Sequence, residues 1–148
     1  MGRRHHSIIA KLNRNTKERK SLFRVQLKQL IELGAITTTI TKAKVIKRLF
    51  DRLAAKAQTN TLASRRLVIA ELGSPKSAHR LIDLILPTMG GRRSGFTSIQ
   101  KVGIRKGDST STASLSLVVP LPETPKKEVK VVEKKDKPKE TKTVIKKK

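Results

Sequence analysis

Apolar positions along this chain recur first with helical and then with strand spacing. Leu22, Phe23, Leu27, Leu30 and Ile31 share one face of a helix predicted from about Lys17 to Leu33. Gly34 follows, and a glycine there stops a helix because it enters the left-handed conformation without a Cβ clash. Ile36-Thr37-Thr38-Thr39-Ile40 is β-branched throughout and predicts a short strand. A second helix, from about Thr41 to Ala57, turns Ile46, Leu49, Phe50, Leu53 and Ala57 inward. A third, roughly Thr61 to Leu72 before Gly73, has Leu62, Leu67, Ile69 and Ala70 as its apolar set. Ser74-Pro75 reads as an N-cap followed by a proline at the first helical position. The helix it opens carries Ala78, Leu81, Ile82, Ile85 and Leu86 as a buried stripe, with Pro87 ending or kinking it. Phe96 to Ile104 and Ala113 to Val119 are strand-like, and Lys106-Gly107-Asp108 supplies a turn between them. In the second strand Ala113, Leu115, Leu117 and Val119 alternate with Ser114 and Ser116. The order helix, strand, three helices, two strands predicts an α+β fold, a small mixed three-stranded sheet with helices packed on it.

Both flanks differ from this core. The first 20 residues are polar and basic, with Arg3, Arg4, Lys11, Arg14, Lys17, Arg19 and Lys20 against Glu18 alone. They predict an arm that becomes ordered against a partner. From Glu123 to Lys148 there are eleven Lys, five acids and two Pro, with no Leu and no aromatic residue. Such a segment cannot bury enough apolar surface to offset its ordering entropy, which predicts disorder. The chain therefore divides into a basic arm (1–20), a globular α+β domain (21–122) and a Lys-rich tail (123–148).

Charge changes the picture more than length does. The 148 residues hold 35 Lys+Arg against 11 Asp+Glu, a net charge of +24. The tail, with eleven Lys and five acids, accounts for +6, and the other residues, with 24 cations and six acids, for +18. A folded body this basic repels itself unless something acidic lies against it. Nucleic acid is the densest such partner, and an anionic membrane surface the weaker alternative. No run of roughly 18 apolar residues offers a membrane span. The N-terminus lacks the long apolar region of a signal peptide, which points to the cytosol. The absence of cysteine excludes disulfides, Cys-based zinc sites and a thiol nucleophile. Aromatic residues are limited to Phe23, Phe50 and Phe96, too few to spare for base stacking. Recognition should run through phosphates and shape.

Catalytic chemistry finds little support. The body's acids are Glu18, Glu32, Asp51, Glu71, Asp83 and Asp108, most of them on polar helix faces where a solvated charge or a local ion pair is the ordinary role. His79 and Asp83 could join a serine, but no nucleophile elbow accompanies them. His5 and His6 are adjacent and lack further metal ligands, so in a basic arm they suit phosphate or RNA contact. Gly90-Gly91-Arg92-Arg93-Ser94-Gly95 is neither a Walker motif nor a dinucleotide fingerprint, and a strand follows it rather than a helix. It suits a polynucleotide backbone. On the second helix Lys42, Lys44 and Arg48 have no acid four residues away. Like charges at that spacing cost a few tenths of a kcal/mol per pair, roughly, which a phosphate backbone would offset. No cofactor, metal or small-molecule substrate is expected.

Specific strings carry a resemblance. Lys11-Leu12-Asn13-Arg14-Asn15, followed in register by Arg19, Phe23 and Arg24 and preceded by Arg4-His5, resembles the N-terminal signature of the bacterial large-subunit ribosomal protein family numbered seventeen. Ile36, Thr38, Thr39 and Lys42-Ala43-Lys44 are similar to that family's strand and second-helix entry, and Arg65-Arg66-Leu67 to its paired-arginine helix. Arg92, Gly95-Phe96-Thr97, Ile99, Lys101, Gly103, Arg105, Gly107-Asp108 and Ala113 follow its C-terminal pattern. The likeness spans about residues 4–119; Ser7-Ile8-Ile9-Ala10, Ser94, Ser98 and the tail depart from it. It implies the same element order, a structural role in the large ribosomal subunit, ribosomal RNA (rRNA) as ligand, neighbouring ribosomal proteins as partners, and a position near the exit of the peptide tunnel. The rRNA contacts expected are Arg4, His5, Lys11, Asn13, Arg14, Asn15, Arg19, Arg24, Lys42, Lys44, Arg65, Arg66, Arg92 and Arg105. Two rivals stand against this reading: a histone-like nucleoid protein binding DNA, suggested by the Lys-rich tail, and an RNA-modifying enzyme built on the glycine loop.

Overall fold

A computed structural model describes residues 10–121. Arg4, His5 and the tail beyond residue 121 lie outside the described residues. The first helix, α1, runs Thr16–Leu33 and ends at Gly34, whose φ of 77° is the left-handed cap expected there. The Gly34 N–H donates to the Leu30 carbonyl at 2.9 Å, and the Gly34 carbonyl accepts from Leu117 N–H at 2.8 Å. One glycine thus closes the helix and ties it to the sheet.

Strand β1 (Ala35–Thr39) leads directly into α2 (Ile40–Gln58). Helix α3 is Leu62–Leu72, N-capped by the Thr61 hydroxyl, which accepts from Ser64 N–H at 3.2 Å. The fourth helix opens on the Ser74 cap with Pro75 behind it, as α4 (Pro75–His79). It continues through a π-helical segment (Arg80–Ile85) into a last turn, α5 (Leu86–Thr88). Pro87 therefore lies in the last turn, one residue before the helix ends at Thr88, with the π-helical segment directly ahead of it. In an α-helix its ring would meet the carbonyl four residues back. The wider π turn shifts that register, with Leu86 N–H donating to the Leu81 carbonyl, five residues back.

Strands β2 (Thr97–Ile104) and β3 (Ser111–Leu117) complete a three-stranded sheet in the order β1-β3-β2. The α+β class and the element order match the sequence reading. The sheet is antiparallel at both pairings, where a mixed sheet was expected. The short β2–β3 turn allows only an antiparallel pair, and β1 enters on the opposite edge of β3 in the opposite direction. A bulge at Val102 separates the Lys101–Ala113 pairing from the Gly103–Thr112 pairing.

Ala113, Leu115 and Leu117 turn one face of β3 into the core, joined by Ile36 from β1. Against this face pack Phe23, Leu27, Leu30 and Ile31 of α1, Ile46, Phe50 and Leu53 of α2, and Leu81 and Ile85 of the fourth helix. Phe50 and Phe96 are fully buried, and Phe23 is nearly so, which leaves no exposed aromatic ring among the described residues. Helix α3 corrects the sequence reading. It buries Ser64, Val68 and Leu72, while Leu62 and Leu67 remain 66% and 54% exposed. Apolar residues surround this short helix on every side, so periodicity cannot select its inner face. The Thr61 cap and the polar ties described next select it instead.

Candidate nucleic-acid interface

The arm enters α1 through a tight turn. Leu12 and Asn13 take left-handed backbone angles, with φ of 55° and 50°. Asparagine tolerates that conformation; leucine does so at a cost that its packing against the core edge offsets. Arg14 N–H donates to the Lys11 carbonyl at 3.2 Å. From the first turn of α1, Arg19 Nη1 donates to the carbonyls of Arg14 and Lys11 at 3.2 and 3.5 Å. Asn15 occupies the N-cap position, yet its side chain makes no capping bond. Lys11, Asn13, Arg14, Asn15 and Glu18 consequently line one open cleft of about 410 Å³. Two cations and two amides converge there beside the positive end of a helix, an arrangement that suits a phosphate group.

The acids elsewhere are already engaged. Glu32 accepts from the Ser77 hydroxyl at 3.4 Å, and Asp51 from the Phe96 N–H at 3.2 Å. Glu71 pairs with Lys56 at 2.5 Å. Asp83 pairs with Arg65 at 2.8 Å and lies 3.8 Å from His79. Asp108 accepts from both Nε and Nη2 of Arg105. By accepting from Phe96, Asp51 on α2 holds the entry to β2. Lys42, Lys44, Arg66, Arg92 and Arg93 form no ion pair with any described residue.

Beyond the arm, three more of the expected contact residues have partners inside the fold. Arg24 reaches from α1 to the end of α3, where Nε donates to the Glu71 carbonyl and Nη2 to the Ala70 carbonyl, each at 3.0 Å. Arg65 donates to Asn60 Oδ1 at 3.0 Å as well as to Asp83, joining α3 to the fourth helix. Arg105 grips Asp108 across the β2–β3 turn, where Thr110 N–H also donates to Asp108 Oδ1 at 3.3 Å. These hydrogen bonds hold the Asp108 carboxyl well below the usual carboxylate range and raise the Arg105 guanidinium.

In the loop before β2, Gly90 and Gly91 have φ of 60° and 73°, and a Cβ at either would meet nothing within 4 Å. Backbone conformation, not crowding, calls for glycine at both. The Gln58 amide donates to the Arg92 carbonyl and fixes the loop to the end of α2, leaving the Arg92 and Arg93 side chains exposed.

One feature had no local signal in the sequence. Phe23 and Leu27 of α1, Leu49 and Arg52 of α2, and Leu67 of α3 wall an open groove of about 400 Å³. Its parts come from segments far apart in the chain, and Leu67 had been read as core. Among the described residues there is no cluster of three or more potential metal-ligating side chains, and no helix is long and apolar enough to cross a membrane.

A family model described as ribosomal protein L17 matches residues 22–118. The large ribosomal subunit protein bL17 of Nitratidesulfovibrio vulgaris is 42% identical over 132 residues, covering 88% of this chain and 99% of its own. That of Solibacter usitatus is 41% identical over 115 residues, covering 78% and 77%. That of Fervidobacterium nodosum is 39% identical over 125 residues, covering 78% and 98%. A model that matches most of the folded body, and relatives this similar over most of their length, show that the chain belongs to the ribosomal protein L17 family.

Proposed function

We propose that this chain binds large-subunit rRNA through the arm cleft, the basic face of α2 and the glycine loop, and stabilises the RNA junction that the arm enters. As a member of its family it is a structural protein of the large ribosomal subunit, not an enzyme, and it works in the ribosome. The observation that carries the RNA reading is the distribution of charge. Five of the body's six acids are engaged within the fold, while Lys11, Arg14, Lys42, Lys44, Arg66, Arg92 and Arg93 have no acidic partner. Phosphates supply what those cations lack, and with no exposed aromatic ring the specificity would come from RNA shape. Arg24, Arg65 and Arg105 keep exposed edges that could touch RNA, but their first role in this reading is to hold the folded body.

The same reading makes residues 1–20 an RNA-ordered arm, 21–122 the domain that positions it, and 123–148 an accessory tail. The likeness to the family also implies a site near the exit of the peptide tunnel. Sedimentation of the tagged full chain in a cell lysate tests the reading. Co-migration with large subunits through a moderate salt wash is expected. Recovery in a soluble monomer pool, or with DNA as a nucleoid protein would behave, would contradict it.

A further inference from the structure

We infer that the groove between α1, α2 and α3 is a protein-docking site, and that its occupant is an acidic segment with aliphatic anchors from another protein of the large subunit. The inference rests on membership of that subunit. The groove has an apolar floor, Phe23, Leu27, Leu49 and Leu67, and a net basic rim, on which Glu71 is paired with Lys56 while Lys20 and Arg52 have no acidic partner among the described residues. Leu67, midway along α3, is 54% exposed in the wall of this groove. That exposure has a structural cause. Arg24 grips the carboxyl end of α3, and the Arg65–Asp83 pair ties its outer side to the fourth helix. Together they set a rotation that buries Val68 and leaves Leu67 in the groove.

RNA is a poor match for this surface. A phosphate backbone would satisfy Lys20 and Arg52 but leave the aliphatic floor in water. The ring that a splayed base could stack on, Phe23, is only 8% exposed. A peptide places aliphatic side chains on the floor and carboxylates on the rim at once, and groove recognition of this kind is a common mode. A second copy of this chain cannot supply that segment from its described residues. Glu18 is the one acid there without a partner, and it stands among the cations of the arm. Charge on the rim then selects the partner and burial at Leu67 anchors it.

The test places a photo-cross-linking amino acid at Leu67, and separately at Leu49, in the full tagged chain. Intact large subunits are purified, shown to contain the variant, and irradiated. The expected product is a cross-link to one other protein, in a peptide rich in Asp or Glu and in Leu, Ile or Val. Adding Arg52→Glu should lower its yield about tenfold or more, since like charges now face each other. A cross-link to rRNA, to a basic peptide or within the chain itself overturns the inference, as does no cross-link from either position in subunits that contain the variants. Absence of even the unsubstituted tagged chain from large subunits would count against the ribosomal reading instead.

Discussion

Arg24 of α1 caps the far end of α3, almost fifty residues along the chain: its Nε donates to the Glu71 carbonyl at 3.0 Å, beside a second bond to Ala70. The last carbonyls of a helix have no intrahelical donor, and a cation there also meets the negative end of the helix dipole. The tie spans α1 and α3, so it reports on how the helices are held against one another.

Arg24→Ala should therefore destabilise the free protein by about 1–2 kcal/mol, the lower part of the range for a charged donor because the site is exposed. Arg24→Lys should recover little, since an ammonium cannot reproduce the planar two-carbonyl grip. Thermal unfolding checks both. An unchanged melting temperature in the alanine variant would remove Arg24 from the structural role.

Gly34→Ala should cost about 1–3 kcal/mol, because the residue needs a left-handed φ. A Cβ there would also lie 2.9 Å from Leu121 Cδ1. Adding Leu121→Ala should relieve the contact but not the backbone strain, so the double variant should remain less stable than Leu121→Ala alone. Denaturant unfolding of the set separates the two causes.

Arg24 and Gly34 mark how far sequence reading reaches in this fold. Gly34, the Ser74-Pro75 start and the stripe of the fourth helix were legible because each is set by residues adjacent in the chain. Arg24 is an exposed cation in an otherwise basic segment, so nothing local separates a capping arginine from an RNA contact. Its partners lie some forty-six residues on. Helix α3 was misread for a related reason: its inner face is chosen by Arg24, Arg65 and the Thr61 cap rather than by its own pattern. Of the site, the arm signature and the unpaired α2 lysines were legible, whereas the groove exists only once three distant segments meet.

The β2–β3 turn should respond to pH only in acid. The Asp108 carboxyl is held below its ordinary value, so its contribution is complete above the unfolded pKa of about 3.9 and is lost as pH falls through the lower folded value. Amide chemical shifts of Thr110 and Arg105 should stay flat from neutral pH down through the ordinary carboxylate value of about 3.9, and move only well below it. A midpoint near the ordinary carboxylate value would show that the Arg105 pairing does not hold in solution.

Arg14 and Arg19 should fail differently. Arg14→Ala removes one cation from the cleft, so rRNA affinity falls and the salt slope loses roughly one unit. Arg19→Ala removes the bonds that shape the turn, with Nη1 at 3.2 Å from the Arg14 carbonyl. It should weaken binding by more than its single charge accounts for, and Arg19→Lys should rescue it only in part. Equal losses in all three variants would reduce Arg19 to one more phosphate contact.

The most direct test of RNA binding by charge is a salt titration of the full chain on large-subunit rRNA, followed by filter binding or fluorescence anisotropy. With about eight phosphates neutralised, affinity should fall by roughly three orders of magnitude or more between about 50 and 200 mM salt. A flat response over that range would contradict the account.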